Sequence, residues 1–337
     1  MKKYKVGIVG IGTVGTEMVK ILRERRFPVN EIRILARSER DEEVAGQTFH
    51  VMEACDKAFD GLDFAFFAGT EGAKGASRLY GWGAVERGVT VIDNGDDFRM
   101  DPRVSLVIPE INAEALKDHN GFIANPNCST IIALMVLGPL HKAGGIRRFV
   151  VSTYQSVSGT GRGAIDELER QVKEYVSGEP MRCEIYPHQI AFNIIPQIGS
   201  LRAEMPGYTS EEAKMLFETR KILGNNRIRV SATCVRVPVF YGHAEALNIE
   251  FEHPIDSEEA RKILSATPGV RVVDDPSEGL YPLPLMCAGK DDVYVGRIRR
   301  DESVGNGLTL FVAGDNIRKG AALNAVQIAE ALISGQY

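Results

Sequence analysis

The hexapeptide Gly10-Ile11-Gly12-Thr13-Val14-Gly15 restricts what this chain can fold into more than any other stretch. It follows an apolar, β-branched run, KVGIV, and opens a segment of helical periodicity over 13–26. Glycine at the first two positions allows a tight turn and lets backbone approach a pyrophosphate; the third lets helix and strand pack together. The free N–H groups and the dipole at the helix start favour an anion there. The spacing therefore predicts the opening βα unit of a Rossmann-type fold, with Gly10, Gly12, Thr13, Val14 and Gly15 facing a dinucleotide. An unliganded glycine-rich turn fits the six residues alone, and it is the strand before and the helix after that favour the ligand.

Further apolar runs follow within the first 125 residues: EIRILA, LDFAFFA, VTVID, SLVI and GFIA. Helical segments, 13–26 and 73–87 among them, separate several of these runs. Runs apolar on both faces that alternate with helices predict a parallel sheet covered on both sides. From about Cys128 the texture changes. Residues 129–141, 164–176 and 210–223 read as helices, whereas 147–154, 229–236, 245–251, 293–299 and 308–313 read as longer strands suited to an antiparallel or mixed sheet. A last amphipathic stretch, 318–333, is expected to return to the first domain. The fold expected is α/β: a Rossmann-type dinucleotide-binding domain over 1–127 plus 318–337, and an α+β domain with a mixed sheet over 128–317.

Two domains also suit a length of 337 residues. With 40 Lys+Arg against 45 Asp+Glu, the net charge of −5 excludes a nucleic-acid role that depends on a global positive field. No run nears the roughly 20 apolar residues that cross a bilayer. The start, MKKYKVGIVGIG, imitates a secretory signal, but its glycines and the continuation into Glu17 and Lys20 at helical spacing argue against one. Cys55, Cys128, Cys183, Cys234 and Cys287 are odd in number and form no CxxC. That pattern suggests a reducing, cytoplasmic setting, no metal site, and a thiolate role for any functional cysteine.

The second strand ends in Arg37-Ser38-Glu39-Arg40. Arg37, Ser38 and Arg40 suit a ribose 2′-phosphate, where an acidic residue would suit a free 2′-hydroxyl, so NADP(H) is expected over NAD. Glu39, Asp41, Glu42 and Glu43 stand close by and oppose that reading. Gly69, just after LDFAFFA, is a further candidate for backbone contact with the cofactor. Asn125-Pro126-Asn127-Cys128-Ser129-Thr130 follows a strand and precedes an apolar helix. A thiol at a helix start is favoured as thiolate, although a cysteine is also an ordinary small core residue.

NPNCST followed by STYQSVSGTG (152–161) resembles the aspartate-β-semialdehyde dehydrogenase family. IDN…FRMDP, AFNIIPQIG, YTSEEAKM…ETRKIL, ATCVRVPVFYGHAEA, GRIRRD and DNIRKGAALNAVQIAE agree in order, so the resemblance spans nearly the whole chain. It implies a glyceraldehyde-phosphate-dehydrogenase-like fold in which the first domain binds NADP and the second is the catalytic, substrate-binding and dimerisation domain. Cys128 is similar to the family's nucleophile, His243 to its acid/base and Gln155 to the residue that orients substrate at the thiol. Arg236 matches the arginine that grips the substrate α-carboxylate, and Glu211 the residue that receives its amino group. Arg99, Asn127 and Lys214 match positions that hold phosphate; Ser158, Gly159 and Asn316 join the glycine turn as cofactor contacts. Taken alone, Glu211, Lys214 and Glu218 at i, i+3 and i+7 fit an ordinary surface charge ladder equally well. His243 fits a loop histidine, Arg99 a loop arginine and Gln155 a polar strand residue.

The chemistry implied is attack of the Cys128 thiolate on an acyl phosphate, loss of phosphate, and hydride reduction of the thioester to an aldehyde. The substrate implied is L-4-aspartyl phosphate, and the pathways are those of lysine, threonine, methionine and isoleucine. The implied assembly is a homodimer or a homotetramer. Three stretches depart from the family pattern. The glycine turn is one residue shorter than GxTGxVG, Ile132 stands where Gln is frequent, and Asp96 and Asp97 stand beside Arg99 where small polar residues are usual. Two other readings compete. One is another acyl-phosphate reductase, such as N-acetylglutamyl-phosphate reductase or a glyceraldehyde-phosphate dehydrogenase, against which the acid at Glu211 speaks. The other is a catalytically silent binding protein, against which the presence of Cys128, Gln155, Arg236 and His243 speaks.

Overall fold

The computed structural model describes residues 2–69 and 74–337. In chain order its elements are β1 Tyr4–Val9, α1 Thr13–Glu24, β2 Val29–Ala36, β3 Arg40–Val44, β4 Gln47–Glu53, β5 Phe64–Phe67, α2 Trp82–Glu86, β6 Thr90–Asp93, β7 Ser105–Leu106, α3 Pro109–Asn112 and β8 Phe122–Ala124. There follow α4 Cys128–Gly144, β9 Ile146–Gln155, α5 Arg162–Ser177, α6 Ser210–Ile222, β10 Arg229–Arg236 and β11 His243–Phe251. The last are α7 Ser257–Ser265, β12 Val270–Val272, α8 Pro284–Cys287, β13 Val293–Arg300, β14 Gly307–Gly314 and α9 Leu323–Ser334. They divide into two units, Met1–Asn127 with Ala321–Tyr337, and Cys128–Gly320.

The first unit is a sheet in the order β3-β4-β2-β1-β5-β6-β8-β7. Every pairing is parallel except β3 with β4. Strands β5 and β8 are buried at every residue, as expected where helices cover both faces. The apolar stripes of α1 (Met18, Ile21, Leu22) and α9 (Val326, Ile328, Ala329) share one core with Val6, Ile8, Ile34, Phe66 and Ile92. Arg25 at the end of α1 grips Glu330 of α9 with two nitrogens, the shorter contact being 2.7 Å. Strand β1 lies between β2 and β5, so the connections diverge at its C-terminal end. A crevice opens at such a switch point, and Gly10 follows directly.

Two local features differ from the expectation. Residues 40–53, rich in charge and without a marked apolar alternation, form a hairpin that adds an antiparallel edge strand to the parallel sheet. Its turn residues, Ala45 (φ 51) and Gly46 (φ 74), both take the positive φ of a tight hairpin turn. Within the segment expected as one helix over 73–87, Ser77–Gly81 forms a π-turn that runs into α2; residue 73 lies outside the described residues. A Cβ on Gly81 would stand 2.6 Å from Phe122, so a glycine is needed there for close packing on β8.

The second unit is a mixed sheet in the order β10-β9-β11-β14-β13-β12. The pairings of β10 with β9 and of β12 with β13 are parallel and the others antiparallel. Alternation sends Phe149, Val151, Thr153 and Gln155 of β9, with His243, Glu245, Leu247 and Ile249 of β11, into the buried face. Helix α4, apolar on all sides and almost wholly buried, crosses that face. Tyr154 lies on the opposite, solvent-facing side, 40% exposed. The chain returns to the first unit at Ala321, three residues after the expected 318, because Arg318–Ala322 forms a π-turn that reaches Ala321 before α9 begins.

Candidate active site

In the second unit the ends of four strands bring the polar residues into one row. Arg236 on β10 pairs with Gln155 on β9. Ala244 pairs with Tyr154, which sets His243 opposite Gln155, and His243 pairs with Gly314 on β14. The row Arg236–Gln155–His243–Gly314 thus closes the buried face, and its three side chains are 6%, 1% and 0% exposed.

The glycine at the end of the row admits helix α4. A Cβ on Gly314 would stand 2.9 Å from Ile132, and Ile132 lies one helical turn beyond Cys128 on the same face. An apolar side chain fills this contact, which accounts for isoleucine at that position. Behind Cys128 the backbone passes so close that a Cβ on Gly320 would be 3.0 Å from the cysteine's own Cβ. Cys128 is half-buried at the first residue of a 17-residue helix, where the dipole favours a thiolate.

Hydrogen bonds fix the row. The Gln155 Oε1 accepts from the Thr153 hydroxyl at 3.1 Å, and its Nε2 donates to Glu211 Oε1 at 3.1 Å. Glu211 in turn lies 3.5 Å from the Lys214 ammonium, so the expected ladder faces inward at this point. The helix α6 carrying both is held by a capping box: Thr209 accepts from the Glu212 amide and Glu212 accepts from the Thr209 amide at 2.8 Å. Arg236 donates through Nη1 to the Ser156 carbonyl at 2.7 Å; its buried Nε has no hydrogen-bond partner among the described residues.

Around His243 the network is denser. The Ser156 backbone N–H donates to Nδ1 at 3.0 Å, and the Ser156 hydroxyl lies 3.0 Å from the same nitrogen. Asn316 Oδ1 accepts from the Ser156 hydroxyl at 3.1 Å, the Ser158 hydroxyl at 3.2 Å and the Gly242 amide at 3.1 Å. Ser158 and Asn316, expected as cofactor contacts, are thus buried inside this network. The other ring nitrogen, Nε2, is buried and has no hydrogen-bond partner among the described residues. Burial and the nearby Arg236 charge hold the His243 pKa well below the ordinary value, against a smaller opposing contact with Gly242. A Cβ on Gly159 would stand 3.0 Å from Arg236 Nη1 and 3.2 Å from His243 Nε2, so that backbone lies against both groups.

Three inward residues escaped the sequence reading. Ser156 carries no spacing signal, and Thr153 reads as an ordinary strand residue. Glu245 does have a signal: it is a carboxyl in phase with His243 and Leu247 on an inward-facing strand. It is fully buried, neither oxygen has a hydrogen-bond partner among the described residues, and burial together with Glu211 drives its pKa well above the usual range.

In the first unit, the glycines of the turn play unequal parts. Gly10 has φ +94 and a Cβ there would be 2.8 Å from Gly69; a Cβ on Gly15 would be 2.0 Å from the Gly10 carbonyl oxygen. Among the described residues, nothing lies within 4 Å of a Cβ on Gly12, at the N-cap of α1. The fold itself demands Gly10 and Gly15, whereas at Gly12 open space faces the helix start, as a bound pyrophosphate would require. Arg37 and Ser38 are exposed beyond β2. Arg40 is not in that turn: it begins β3 and binds Glu42 at 2.8 Å and the Ser38 carbonyl at 3.1 Å. Of the neighbouring acids, Asp41 lies 2.9 Å and Glu39 3.1 Å from His50.

Arg99 is buried and donates to the carbonyls of Asn125 at 2.9 Å and Asn94 at 2.6 Å. Asn127 is also buried. Asp97 is bound by Arg78 at 2.6 Å. Burial pushes Asp93, at the end of β6, up to about 6 against the Gly95 amide and the Arg99 charge.

Residues 5–119 match the model of the semialdehyde dehydrogenase NAD binding domain, and residues 137–319 that of the semialdehyde dehydrogenase dimerisation domain. An aspartate-semialdehyde dehydrogenase of Aquifex aeolicus (strain VF5) is 49% identical over 98% of this chain and 98% of its own. The chain belongs to the aspartate-semialdehyde dehydrogenase family. An aspartate-semialdehyde dehydrogenase of Bacillus subtilis (strain 168) is 44% identical over 97% of this chain and 96% of its own. The crystal structure of aspartate semialdehyde dehydrogenase II from Vibrio cholerae, complexed with ASA, matches with a TM-score of 0.93 at 43% identity over 100% of both chains. Membership of this family bears out the expected fold class and marks the chain as an enzyme, against the silent-protein reading. Among the described residues, no helix is long and apolar enough to cross a membrane, and no cluster of His, Cys, Asp and Glu is arranged to hold a metal.

Proposed function

We propose that this chain catalyses the NADPH-dependent conversion of L-4-aspartyl phosphate to L-aspartate 4-semialdehyde and phosphate through a thioester on Cys128. The observation that carries this reading is the row Arg236–Gln155–His243 beside the helix that begins at Cys128. An uncharged thioester carbonyl accepts hydride far more readily than a carboxylate, which is why a thiolate is suited to the first step. Cys128 attacks the acyl carbon and phosphate leaves. Gln155, its amide fixed by Thr153 and Glu211, orients the acyl group. Arg236 grips the α-carboxylate, bidentate recognition being what a guanidinium does best. Glu211 receives the ammonium, and Lys214 with Arg99 and Asn127 holds phosphate.

The cofactor is assigned to the glycine turn, with its pyrophosphate at the start of α1, its 2′-phosphate at Arg37 and Ser38, and Gly69, Ser158 and Gly159 as further contacts. When bound, the nicotinamide supplies the hydride. We further assign the chain to the cytoplasm as a homodimer; the matched dimerisation model spans 137–319, and Tyr154 with Phe311, ring centroids 6.0 Å apart, lies on the open face of its sheet.

The test is reduction of NADP and, separately, NAD by L-aspartate semialdehyde with and without phosphate. Phosphate-dependent reduction that favours NADP is expected. No turnover with either cofactor overturns the reading.

A further inference from the structure

Directly behind the row Arg236–Gln155–His243 lies a second row, Cys234–Thr153–Glu245, set by the same strand register. Its three side chains are fully buried. Two residues further along each strand, Ala232, Val151 and Leu247 are apolar, so polarity on this face is confined to the site and the layer beneath it. Thr153 joins that layer to the site. Its Oγ1 accepts from the Val235 backbone N–H at 3.3 Å and donates to Gln155 Oε1 at 3.1 Å. A hydroxyl has one proton to give. Among the described residues neither oxygen of Glu245, the register neighbour of Thr153, takes a hydrogen bond, so that proton serves Gln155.

The amide of Gln155 is thus tied at both ends, its carbonyl to Thr153 and its nitrogen to Glu211 Oε1. The carbonyl has a competing donor beside it. Arg236 pairs with Gln155 across the two strands, and its buried Nε–H has no hydrogen-bond partner among the described residues. With Nη1 given to the Ser156 carbonyl at 2.7 Å, the edge of Nε and Nη2 offers a carboxylate two parallel N–H groups. A charged donor binds a carbonyl more strongly than a hydroxyl does. A Gln155 released from Thr153 would therefore turn to Arg236.

We propose that Thr153 is a positioning residue: by holding the Gln155 carbonyl, it keeps Gln155 off Arg236 and leaves the Nε edge of Arg236 open for the substrate α-carboxylate. The proposal rests on the role given to Arg236 above and deepens it. Removal of the hydroxyl leaves a buried carbonyl without its donor, and such a group takes the nearest replacement. The substrate carboxylate then has to displace Gln155 before it is gripped. The loss falls on substrate binding, and bond-making at Cys128 is left alone. This also accounts for a threonine at a fully buried strand position, where valine has nearly the same shape and no polar group to satisfy.

The experiment compares two variants of the full chain: Thr153→Val, which keeps the shape and removes the hydroxyl, and Thr153→Ser, which keeps the hydroxyl. In Thr153→Val, KM for L-aspartate semialdehyde is expected to rise about tenfold or more, the worth of one hydrogen bond to a charged group. Its kcat should stay within about threefold of the parent, as for a lost binding contact, and KM for phosphate should not move. Thr153→Ser is expected to match the parent within about threefold in all three quantities. An unchanged KM for the semialdehyde, a loss confined to kcat, an equal rise in both KM values, or a serine variant as impaired as the valine one overturns the proposal. A crystal structure of Thr153→Val gives an independent reading. Gln155 Oε1 is expected within hydrogen-bonding distance of Arg236 Nε, and a Gln155 amide that has not moved overturns the proposal. Since the crystal structure needs no turnover, failure of the parent with aspartate semialdehyde overturns the reaction proposed above and leaves the placement of Gln155 to be judged on its own.

Discussion

On the function proposed above, the glycine turn of the first unit and the polar row of the second would achieve recognition by opposite means. In the turn, backbone does the work within six consecutive residues, and side chains are mainly kept out of the way. In the row, side chains do the work, and they come from strands 80 or so residues apart in sequence, as the pairing of Gln155 with Arg236 shows. A local device is written in one motif. A device assembled by sheet register becomes visible only when the strands are aligned.

Substitutions in the two regions should separate these modes. The largest effect is expected at Cys128: Cys128→Ser lowers turnover by about 10⁴-fold or more, in line with loss of a nucleophile, with melting temperature nearly unchanged. Gly159→Ala comes next. Its Cβ would press on Arg236 Nη1 and His243 Nε2, at 3.0 and 3.2 Å, so a loss of about 10²-fold in kcat/KM is expected from misplaced groups. Melting temperature distinguishes this from Gly15→Ala, where the Cβ would meet the Gly10 carbonyl oxygen at 2.0 Å and the fold itself should fail.

Smaller changes sharpen the contrast. Gly12→Ala enters open space, so stability should hold while KM for NADP rises about tenfold through interference with the pyrophosphate. Arg37→Ala should raise KM for NADP by about tenfold and leave that for NAD alone, one charged hydrogen bond being worth roughly that much. An equal effect on both cofactors would move the 2′-phosphate away from Arg37.

The smallest effect concerns stability. Burial and, after it, the Glu211 charge raise the Glu245 pKa well above the ordinary carboxylate range, which favours the neutral carboxyl in the folded chain. A raised carboxyl stabilises the fold below the ordinary carboxylate range, and this contribution is lost as pH rises through the elevated value. Glu245→Gln should therefore gain a few degrees in melting temperature over the parent at pH 8 and little at pH 5. An equal shift at both values would show that the carboxyl is not neutral in the native state.

Much of the fold was legible because its signals are short-range. The β1 turn, the apolar strands of the first sheet and the helix opening at Cys128 each announce themselves within a dozen residues. The hairpin 40–53 did not, since its edge strand is polar and its turn, Ala45-Gly46, lacks the usual Asn-Gly signal. Helix α7 and strand β12 also went unread in a charged stretch with little apolar pattern. The site residues were named by resemblance, and their individual reasons lie in contacts the linear chain conceals. Glu211 and Lys214 look like a surface ladder until Gln155 is seen bonded to Glu211. Ser156 has no outward mark at all, because what it contributes to His243 is first of all a backbone N–H.

The most direct test of the thioester chemistry is to mix the enzyme with L-aspartate semialdehyde and NADP in the absence of phosphate, quench in acid and locate the acyl group by peptide mass spectrometry. One equivalent of NADPH per active site and an acyl group on the Cys128 peptide are predicted. No burst, or an acyl group on any other residue, would contradict the account.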